Sequence, residues 1–180
     1  MQMMRLEIRA SRQGIEQTVM TSGQIDIRLA TAGDAALLAA MSRDLVEVGV
    51  GWSWVPARIA RHIRSPESVV LVAQGASCVA GFAIMRFGAE EAHLDLLAVR
   101  PPFRRAGVGR RLIDWLEESA LVAGISLIYL ELRAGNDAAL RFYKSLGYCQ
   151  VKRVPGYYGG RETAICMARD LWSSPLTNTM

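Results

Sequence analysis

The segment from residue 92 to residue 123 constrains the fold of this 180-residue chain more than any other. Residues 92–99 are mainly apolar, which predicts a buried strand, and Pro101 and Pro102 end it. Apolar residues at helical spacing then predict an amphipathic helix from about Gly107 to Ala123. A strand that continues through a short glycine-containing loop into a helix predicts a sheet with a helix packed against it.

The loop that joins this strand to the helix has the composition of a phosphate-binding site. Gly107 and Gly109 permit a tight turn whose backbone N–H groups point inward at the helix N-terminus, where a pyrophosphate can bind. Arg104, Arg105 and Arg110 add positive charge. From this pattern alone, an ordinary connecting loop with basic residues for solubility is the alternative. A Walker loop is excluded, because neither Gly-Lys-Ser nor Gly-Lys-Thr follows.

Hydrophobic periodicity predicts the other elements of the chain. The predicted strands cover residues 25–29, 69–73, 79–87, 92–99, 126–133, 148–154 and 161–168. The first predicted helix follows Thr31, and the others run from Pro56 to about Arg64, from about Gly107 to Ala123 and from Asn136 to Leu146. This order predicts an α/β domain whose mixed sheet is covered by helices on both faces. We expect a single domain at residues 25–172 and a tail at 173–180. Residues 1–24 are expected to be a flexible extension, within which Met20 is an alternative start.

The composition limits the kind of protein that this chain can be. The 51% hydrophobic content suits one compact core, and no apolar stretch approaches about twenty residues, so a membrane span is excluded. The three cysteines are far apart and form no ligand spacing with either histidine, so we expect a reduced, cytoplasmic protein without a metal. The net charge of +4 is dispersed, which argues against a nucleic-acid-binding protein.

Two blocks of the sequence together resemble a known family. Residues 97–109 (LAVRPPFRRAGVG) are similar to motif A of the GCN5-related N-acetyltransferase (GNAT) family, and residues 130–148 (LELRAGNDAALRFYKSLGY) are similar to its motif B. Within the family, LELR at 130–133 and GYYGGRETAICM at 156–167 most resemble the RimI-like ribosomal-protein-alanine N-acetyltransferases. The resemblance implies the GNAT fold, a central, mostly antiparallel sheet with a splayed parallel pair at its centre and helices on both faces.

The resemblance implies that acetyl-CoA is the co-substrate and that its pantetheine arm lies between the two splayed strands. Backbone groups of Leu97 and Val99 would contact the pantetheine, and N–H groups of residues 105–110 would hold the pyrophosphate. Asn136 would bind the pantetheine arm through its amide, or cap a helix at Ala139, or do both. The implied cofactor-binding residues are Leu97, Ala98, Val99, Arg104, Arg105, Ala106, Gly107, Val108, Gly109, Arg110, Asn136 and Ala139.

For catalysis, the resemblance implies direct transfer of the acetyl group from the thioester to an amine. Tyr143 matches the family's tyrosine near the thioester sulfur and is the expected general acid, with packing of its ring as the structural alternative. Glu131 is the expected general base, with a structural salt bridge as the alternative; an acidic residue inside an apolar strand is costly to bury. His93 and Asp95 share one strand face and form a rival base. A water-relayed proton path is the third alternative.

The acceptor amine is expected opposite the cofactor, between the first pair of helices and the last hairpin. The expected wall residues are Trp52, Trp54, Tyr157 and Tyr158, which lie in glycine-rich loops; core packing is the alternative. The RimI-like resemblance implies a protein or peptide N-terminal amine as the acceptor. A small-molecule amine, and a non-catalytic CoA-binding sensor on the same scaffold, are the alternatives. The choice between a monomer and a homodimer stays open.

Overall fold

The computed structural model describes residues 25–49 and 51–173, which form a seven-stranded mixed sheet with helices on both faces. The strands are β1 (Asp26–Leu29), β2 (Ser68–Gln74), β3 (Val79–Phe87), β4 (Glu91–Val99), β5 (Leu127–Arg133), β6 (Cys149–Tyr158) and β7 (Glu162–Asp170). The helices are α1 (Ala35–Leu45), α2 (Pro56–Arg64), α3 (Val108–Val122) and α4 (Asp137–Ser145). The predicted extension at 1–24, with Met20, and the predicted tail from residue 174 onwards lie outside the described residues.

The described elements follow the order that the sequence predicts. The strands lie side by side as β1-β2-β3-β4-β5-β7-β6, and among these strands β4 and β5 are the one parallel pair. The predicted α/β class, the mixed sheet and its central parallel pair are therefore confirmed. Within the described part of the chain, no helix has the length and apolar character needed to cross a membrane.

The hydrophobic core lies on both faces of the sheet. On one face, α3 packs through Leu112, Ile113 and Leu116, all of them fully buried. On the other face, α1 and α2 pack through Leu38 and Ile59, which are also fully buried. Each such side chain contributes about 1.5–3 kcal/mol on burial. The central strands are thus fixed from both faces.

The β4 strand separates from its neighbour β5 part-way along its length. Its register with β3 shifts at Asp95, which has no β3 partner although Leu94 and Leu96 on either side are paired. Such a bulge bends the strand and re-aims its side chains. The parallel pairing with β5 ends at Leu94 and Leu130, although both strands continue. The two strands therefore diverge and leave a gap at the centre of the sheet, as the resemblance implies.

The β6 strand is longer than its sequence indicates. Pro155 and Gly156 favour an end at Val154, whereas the strand continues to Tyr158. Because β6 is an edge strand, the missing N–H of the proline can be tolerated, and a register shift after Val154 accommodates Gly156 at φ 68°. Tyr157 and Tyr158 consequently lie on a strand, and their expected position in a loop was wrong.

Candidate active site

The gap between β4 and β5 opens into a groove of about 690 Å³. The ends of both strands, the loop between α1 and α2, the start of α4 and the β6–β7 hairpin all contribute to its lining. Nine of the residues predicted for the cofactor, the acceptor or catalysis line this groove: Trp54, Asp95, Leu97, Glu131, Asn136, Ala139, Tyr143, Tyr157 and Tyr158. The fold thus brings together residues from four separate parts of the sequence.

The predicted phosphate loop is exposed and leads directly into α3. Gly107 adopts φ 77° just before the helix, and Arg105 is the one non-glycine residue of the described chain with a positive φ, at 65°. Apart from the glycine and its chain neighbours, no atom lies within 4 Å of the place that a Cβ on Gly107 would take, so backbone conformation and not crowding favours glycine here. Since the first N–H groups of a helix lack partners within the helix, this turn offers donors to an anion.

Other residues of the predicted cofactor set have structural partners. Arg104 donates from Nε to the carbonyl oxygen of Val99 at 2.9 Å and so ties the loop to the end of β4. A Cβ on Gly109 would come within 3.2 Å of the Phe142 ring, so this glycine allows α3 to pack closely against α4. Four further residues of the predicted cofactor set differ in their exposure to solvent. Ala106 and Arg110 are exposed, whereas Ala98 and Val108 are buried.

Asn136 caps the N-terminus of α4. Its Oδ1 accepts a hydrogen bond from the N–H of Ala139 at 3.1 Å, which confirms the capping role. The same side chain lines the groove, and its amide nitrogen has no hydrogen-bond partner within the described residues. The cap therefore leaves the amide N–H groups available to a ligand, and the two roles considered for Asn136 are compatible.

Tyr143 lies on α4 with its side chain almost fully buried. Its ring makes edge-to-face contacts with Phe142 and Tyr148, at centroid distances of 5.2 and 5.5 Å. Burial, together with the nearby Tyr158, holds the pKa of the Tyr143 hydroxyl well above its ordinary value. The hydroxyl therefore keeps its proton at neutral pH, as a general acid must. Ring packing and an acid role are thus compatible in one residue.

Glu131 belongs to a chain of four charged side chains that crosses three strands. Its Oε2 lies 2.7 Å from Nε2 of His93, and Nδ1 of His93 lies 2.9 Å from Oδ1 of Asp95. Arg86 on β3 donates to both oxygens of Asp95, at 2.6 and 2.7 Å. The expected base and its rival pair are therefore parts of one connected unit.

The two carboxylates determine the charge of His93. Hydrogen bonds to Asp95 and Glu131 raise the pKa of the imidazole to about 9, although desolvation acts in the opposite direction. Burial would raise the pKa of Asp95, but hydrogen bonds from Arg86 and His93 hold it below its ordinary value. At neutral pH His93 is consequently an imidazolium between two carboxylates, and in this state it is not a free base.

Glu47 fixes the loop between α1 and α2, and it was not predicted as a site residue. Its buried carboxylate accepts hydrogen bonds from the backbone N–H of Ser53 at 2.6 Å and of Trp54 at 3.2 Å. The hydroxyls of Ser53 and Ser42 donate to it as well, at 2.7 and 3.1 Å. These bonds satisfy a carboxylate whose burial would otherwise be costly. No sequence pattern announces this role, because the partners are backbone groups of an irregular loop.

Arg133 connects the two sides of the groove. It donates to the carbonyl oxygens of Val46 and Val48, at 2.8 and 2.7 Å, in the loop between α1 and α2. On the hairpin side, its guanidinium carbon lies 5.8 Å from the ring centroid of Tyr158, and a nitrogen lies 3.8 Å from the Glu162 carboxylate. Its place in the LELR motif is the sequence signal that could have identified it as a site residue.

The two tryptophans of the loop between α1 and α2 occupy different places. Trp54 is buried and lines the groove, with the guanidinium carbon of Arg58 3.8 Å from its ring centroid. Trp52 is 42% exposed and lies outside the groove lining. The guanidinium carbon of Arg43 lies 5.6 Å from the centroid of its ring. The groove thus includes one of the two tryptophans predicted for its wall.

Comparison with known proteins relates this geometry to a family. A family model described as the acetyltransferase (GNAT) family matches residues 38–148, which is more than half of the chain. The chain belongs to the GNAT family. The matched range includes β4, β5 and both blocks of sequence on which the resemblance rests, so the resemblance is confirmed. Acetyl-CoA is the co-substrate of GNAT enzymes.

Individual GNAT proteins resemble the chain over different lengths. The ribosomal protein bS18-alanine N-acetyltransferase of Escherichia coli strain K12 is 40% identical over 93 residues, which are 50% of this chain and 63% of that protein. The chain therefore matches less than two thirds of that relative's length. The crystal structure of the ribosomal-protein-S18-alanine N-acetyltransferase from Escherichia coli has a TM-score of 0.72 at 26% identity, over 87% of this chain and 100% of that chain.

A GNAT structure that contains coenzyme A shares the fold. The PaiA N-acetyltransferase of Thermoplasma acidophilum, in complex with coenzyme A, has a TM-score of 0.71 over 82% of this chain and 99% of that chain. Its identity with this chain is 20%, so the likeness concerns the fold alone.

Proposed function

We propose that the chain is an N-acetyltransferase that moves an acetyl group from acetyl-CoA to a protein or peptide N-terminal amine. The observation that carries this proposal is the gap between β4 and β5, where Tyr143 and Glu131 line one groove. The exposed loop at the N-terminus of α3 follows directly after β4 and supplies the expected pyrophosphate site. An extended pantetheine arm along the part of β4 that is not paired with β5 would bring its thioester towards both residues.

The proposed chemistry assigns one role to each group. Glu131 removes a proton from the acceptor ammonium, and the freed amine attacks the thioester carbonyl carbon. A backbone N–H near Val99 binds the oxyanion of the tetrahedral intermediate. The carbon–sulfur bond then breaks, and Tyr143 protonates the departing thiolate. The nitrogen loses its second proton as the amide forms, which restores the Tyr143 hydroxyl, and Glu131 returns its proton to solvent. Direct transfer needs no acetylated side chain on the enzyme.

The proposed acceptor is supported by the relatives and by the groove. The relative from Escherichia coli acts, by its name, on an alanine of ribosomal protein bS18, which makes a peptide with an N-terminal alanine the first acceptor to test. The groove has an opening between two walls, one from the α1–α2 loop with Trp54 and one from the hairpin with Tyr157 and Tyr158. An extended chain terminus fits between two such walls without a closed pocket.

The release of free CoA thiol from acetyl-CoA tests this function. The protein is mixed with acetyl-CoA and, in separate reactions, with peptides that begin with different residues and with small amines of several classes. We expect thiol release with N-terminal peptides, most of all with the alanine peptide. A twin of that peptide with an acetylated N-terminus is the matched control and should release no thiol above background.

Two other outcomes of this assay would favour a different function. Turnover of small amines with no turnover of peptides would replace the peptide acceptor by a small-molecule one. Binding of CoA with no thiol release for any amine would favour the non-catalytic sensor and would contradict the proposed function.

A further inference from the structure

A buried polar cluster lies next to Tyr143 and outside the groove. It consists of Tyr148 between α4 and β6, Glu117 on α3 and Arg169 on β7. The Tyr148 hydroxyl donates to Oε1 of Glu117 at 3.0 Å, and one nitrogen of Arg169 donates to both Glu117 oxygens, at 2.8 and 2.7 Å. Tyr148 and Glu117 are buried, and none of the three residues is among those that line the groove. The proposed chemistry therefore leaves this cluster without a function.

The end of α4 holds Tyr148 against Tyr143. The backbone N–H of Tyr148 donates to the carbonyl oxygen of Tyr143, and that of Gly147 donates to the carbonyl oxygen of Lys144, both at 3.0 Å. With Gly147 at φ 91°, these two bonds form a Schellman motif, in which the residue after the glycine packs on the residue five positions earlier. Tyr148 and Tyr143 hold these two positions, and their rings meet edge to face at a centroid distance of 5.5 Å.

The Tyr148 ring is also attached to α3. Burial, together with the Glu117 carboxylate, holds the pKa of the Tyr148 hydroxyl well above its ordinary value, so the hydroxyl keeps its proton and donates it to the hydrogen bond. Rotation of the ring would break this bond and take one partner from a buried carboxylate, which is unfavourable. Tyr148 is therefore fixed at two points, by its backbone bond to Tyr143 and by its hydroxyl bond to Glu117.

The helix that carries Glu117 begins directly after the expected pyrophosphate loop. Two contacts join the start of this helix to α4: Gly109 allows close approach of the Phe142 ring, and Arg110 donates to the carbonyl oxygen of Ser145 at 3.5 Å. Glu117 adds a third contact about two turns further along α3. A hydroxyl that is held from α3 keeps its position relative to a cofactor that binds at the start of the same helix. A hydrogen bond fixes the direction of the ring, which apolar packing alone does not.

We propose that Tyr148 is a positioning residue, which holds the Tyr143 hydroxyl within reach of the thioester sulfur through its ring and through its anchor on Glu117. The inference rests on the proposed acetyltransferase function and on the acid role of Tyr143 within it. Tyr148 lies outside the groove, so it acts through Tyr143 and is not a catalytic residue. Such positioning matters because a displacement of about 1 Å near the chemistry can lower a rate about 100-fold.

A double-mutant cycle with the Tyr143 hydroxyl tests this role. Tyr148→Phe keeps the ring and the end of α4 and removes only the bond to Glu117. We expect its kcat to fall about tenfold, while its affinity for acetyl-CoA stays within about twofold of wild type. In a Tyr143→Phe background no hydroxyl is left to position, so Tyr148→Phe should change kcat by less than about twofold. General loosening of the fold would lower kcat in both backgrounds.

Variants of Glu117 test the same bond from its other side. Glu117→Gln keeps an oxygen that can accept from the Tyr148 hydroxyl, so its kcat should stay within about threefold of wild type. Glu117→Ala has no acceptor and should reproduce the fall in kcat of Tyr148→Phe. Ile59→Val is the control for lost stability, because it removes a methyl group from the core on the other face of the sheet and should leave kcat unchanged. Thermal unfolding and the affinity for acetyl-CoA show in each case that the variant is folded.

Three results would overturn the positioning role. The first is a kcat of Tyr148→Phe within twofold of the wild-type value. The second is an equal fall in kcat on Tyr148→Phe with and without the Tyr143 hydroxyl. The third is an equal kcat of folded Glu117→Gln and Glu117→Ala, which would show that the acceptor of the Tyr148 hydroxyl has no part in turnover. Wild-type turnover is measured first, so a failure of the acetyltransferase proposal itself appears there and is not confused with failure of the positioning role.

Discussion

Tyr143 and Glu131 line one groove, but their surroundings are different. Tyr143 is packed among aromatic rings, which stabilises the neutral hydroxyl. Glu131 lies 2.7 Å from an imidazolium, inside a unit of alternating charges. A neutral hydroxyl and a carboxylate in one groove are the two groups that the proposed acid and base roles need.

Replacement of Tyr143 by Phe tests the acid role. The ring packing is kept and only the hydroxyl is lost, so acetyl-CoA should bind with an affinity within about twofold of wild type. The kcat should fall about 100-fold, which is within the range for loss of a general acid. Steady-state thiol release and calorimetric binding of CoA measure the two quantities. An unchanged kcat would remove Tyr143 from the chemistry.

The stability of the protein should depend on pH through His93. The folded protein raises the pKa of this imidazole from 6.5 to about 9, so it binds the proton more tightly than the unfolded chain does. The stabilisation is therefore complete below pH 6.5 and disappears as the pH rises through 9. Its upper bound is about 3 kcal/mol, because each tenfold gain in proton affinity on folding is worth about 1.4 kcal/mol.

Urea unfolding of wild type and His93→Gln measures this contribution. The difference in the free energy of unfolding between the two proteins should be large at pH 6 and much smaller at pH 9.5. Asp95 adds no comparable change in this window, because its lowered pKa places its titration in acid. A difference that is the same at both pH values would contradict the assigned charge of His93.

Roles that follow from a local motif could be predicted from the sequence, whereas contacts with the backbone of an irregular loop could not. Tyr143 and Asn136 lie within motif B. Asn136 caps α4 by accepting a hydrogen bond from the N–H three residues further along the chain. Glu47 and Arg133 bind backbone groups of the loop between α1 and α2. The backbone partners of Glu47 are six and seven positions away, and Arg133, which the LELR motif marks, reaches carbonyl groups 85 and 87 positions away. Only the folded chain brings these partners together.

At the scale of elements, the loop before α3 should act through its backbone. Gly107 and Gly124 lie at opposite ends of this helix, with φ values of 77° and 79°, and, apart from their chain neighbours, no atom lies within 4 Å of the place that a Cβ on either would take. Replacement of either by Ala should cost about 1–2 kcal/mol of stability, because left-handed backbone is unfavourable for alanine. Gly107→Ala alone should weaken acetyl-CoA binding, by about tenfold or more.

Gly124→Ala is the control, because it introduces the same backbone strain at the end of α3 away from the expected acetyl-CoA site. Thermal unfolding compares the stability of the two variants, and calorimetry compares their dissociation constants for acetyl-CoA. Equal affinity of the two variants for acetyl-CoA would show that the turn at Gly107 does not bind the cofactor.

Arg133 should act on the acceptor and not on the donor, because it fixes the loop and the hairpin on either side of the groove. Arg133→Ala should raise the KM for the acceptor peptide about tenfold, a change of about 1.4 kcal/mol. The KM for acetyl-CoA should stay within about twofold. Arg153→Ala removes an exposed arginine from the β6 strand and serves as the control. Equal changes in both KM values would contradict this role.

The bounds of most elements follow from local patterns, and the exceptions have tertiary causes. Pro56 predicts the start of α2, and residues 79–87 predict β3 without error. The continuation of β6 past Pro155 was missed, because it depends on the position of the strand at the edge of the sheet. The bulge at Asp95 has no sequence signal either, since it is a property of the pairing with β3.

At the scale of the whole molecule, the two helical layers and the central gap have separate functions. The layers of α1 with α2 and of α3 bury the sheet from both faces and hold the strands in place. The gap between β4 and β5 is the one break in the parallel pairing, and both proposals depend on it. Motif A marks the expected donor side of the groove, whereas the walls expected to hold the acceptor contain no comparable motif.

The most direct test of the central claim is the position of the acetyl group on a peptide product. A peptide with an N-terminal alanine and one internal lysine is incubated with acetyl-CoA and the protein, and fragment masses locate the modification. We predict acetylation of the N-terminal amine alone, at a rate that Glu131→Gln lowers. Acetylation of the lysine, or an unmodified peptide after prolonged incubation, would contradict the claim.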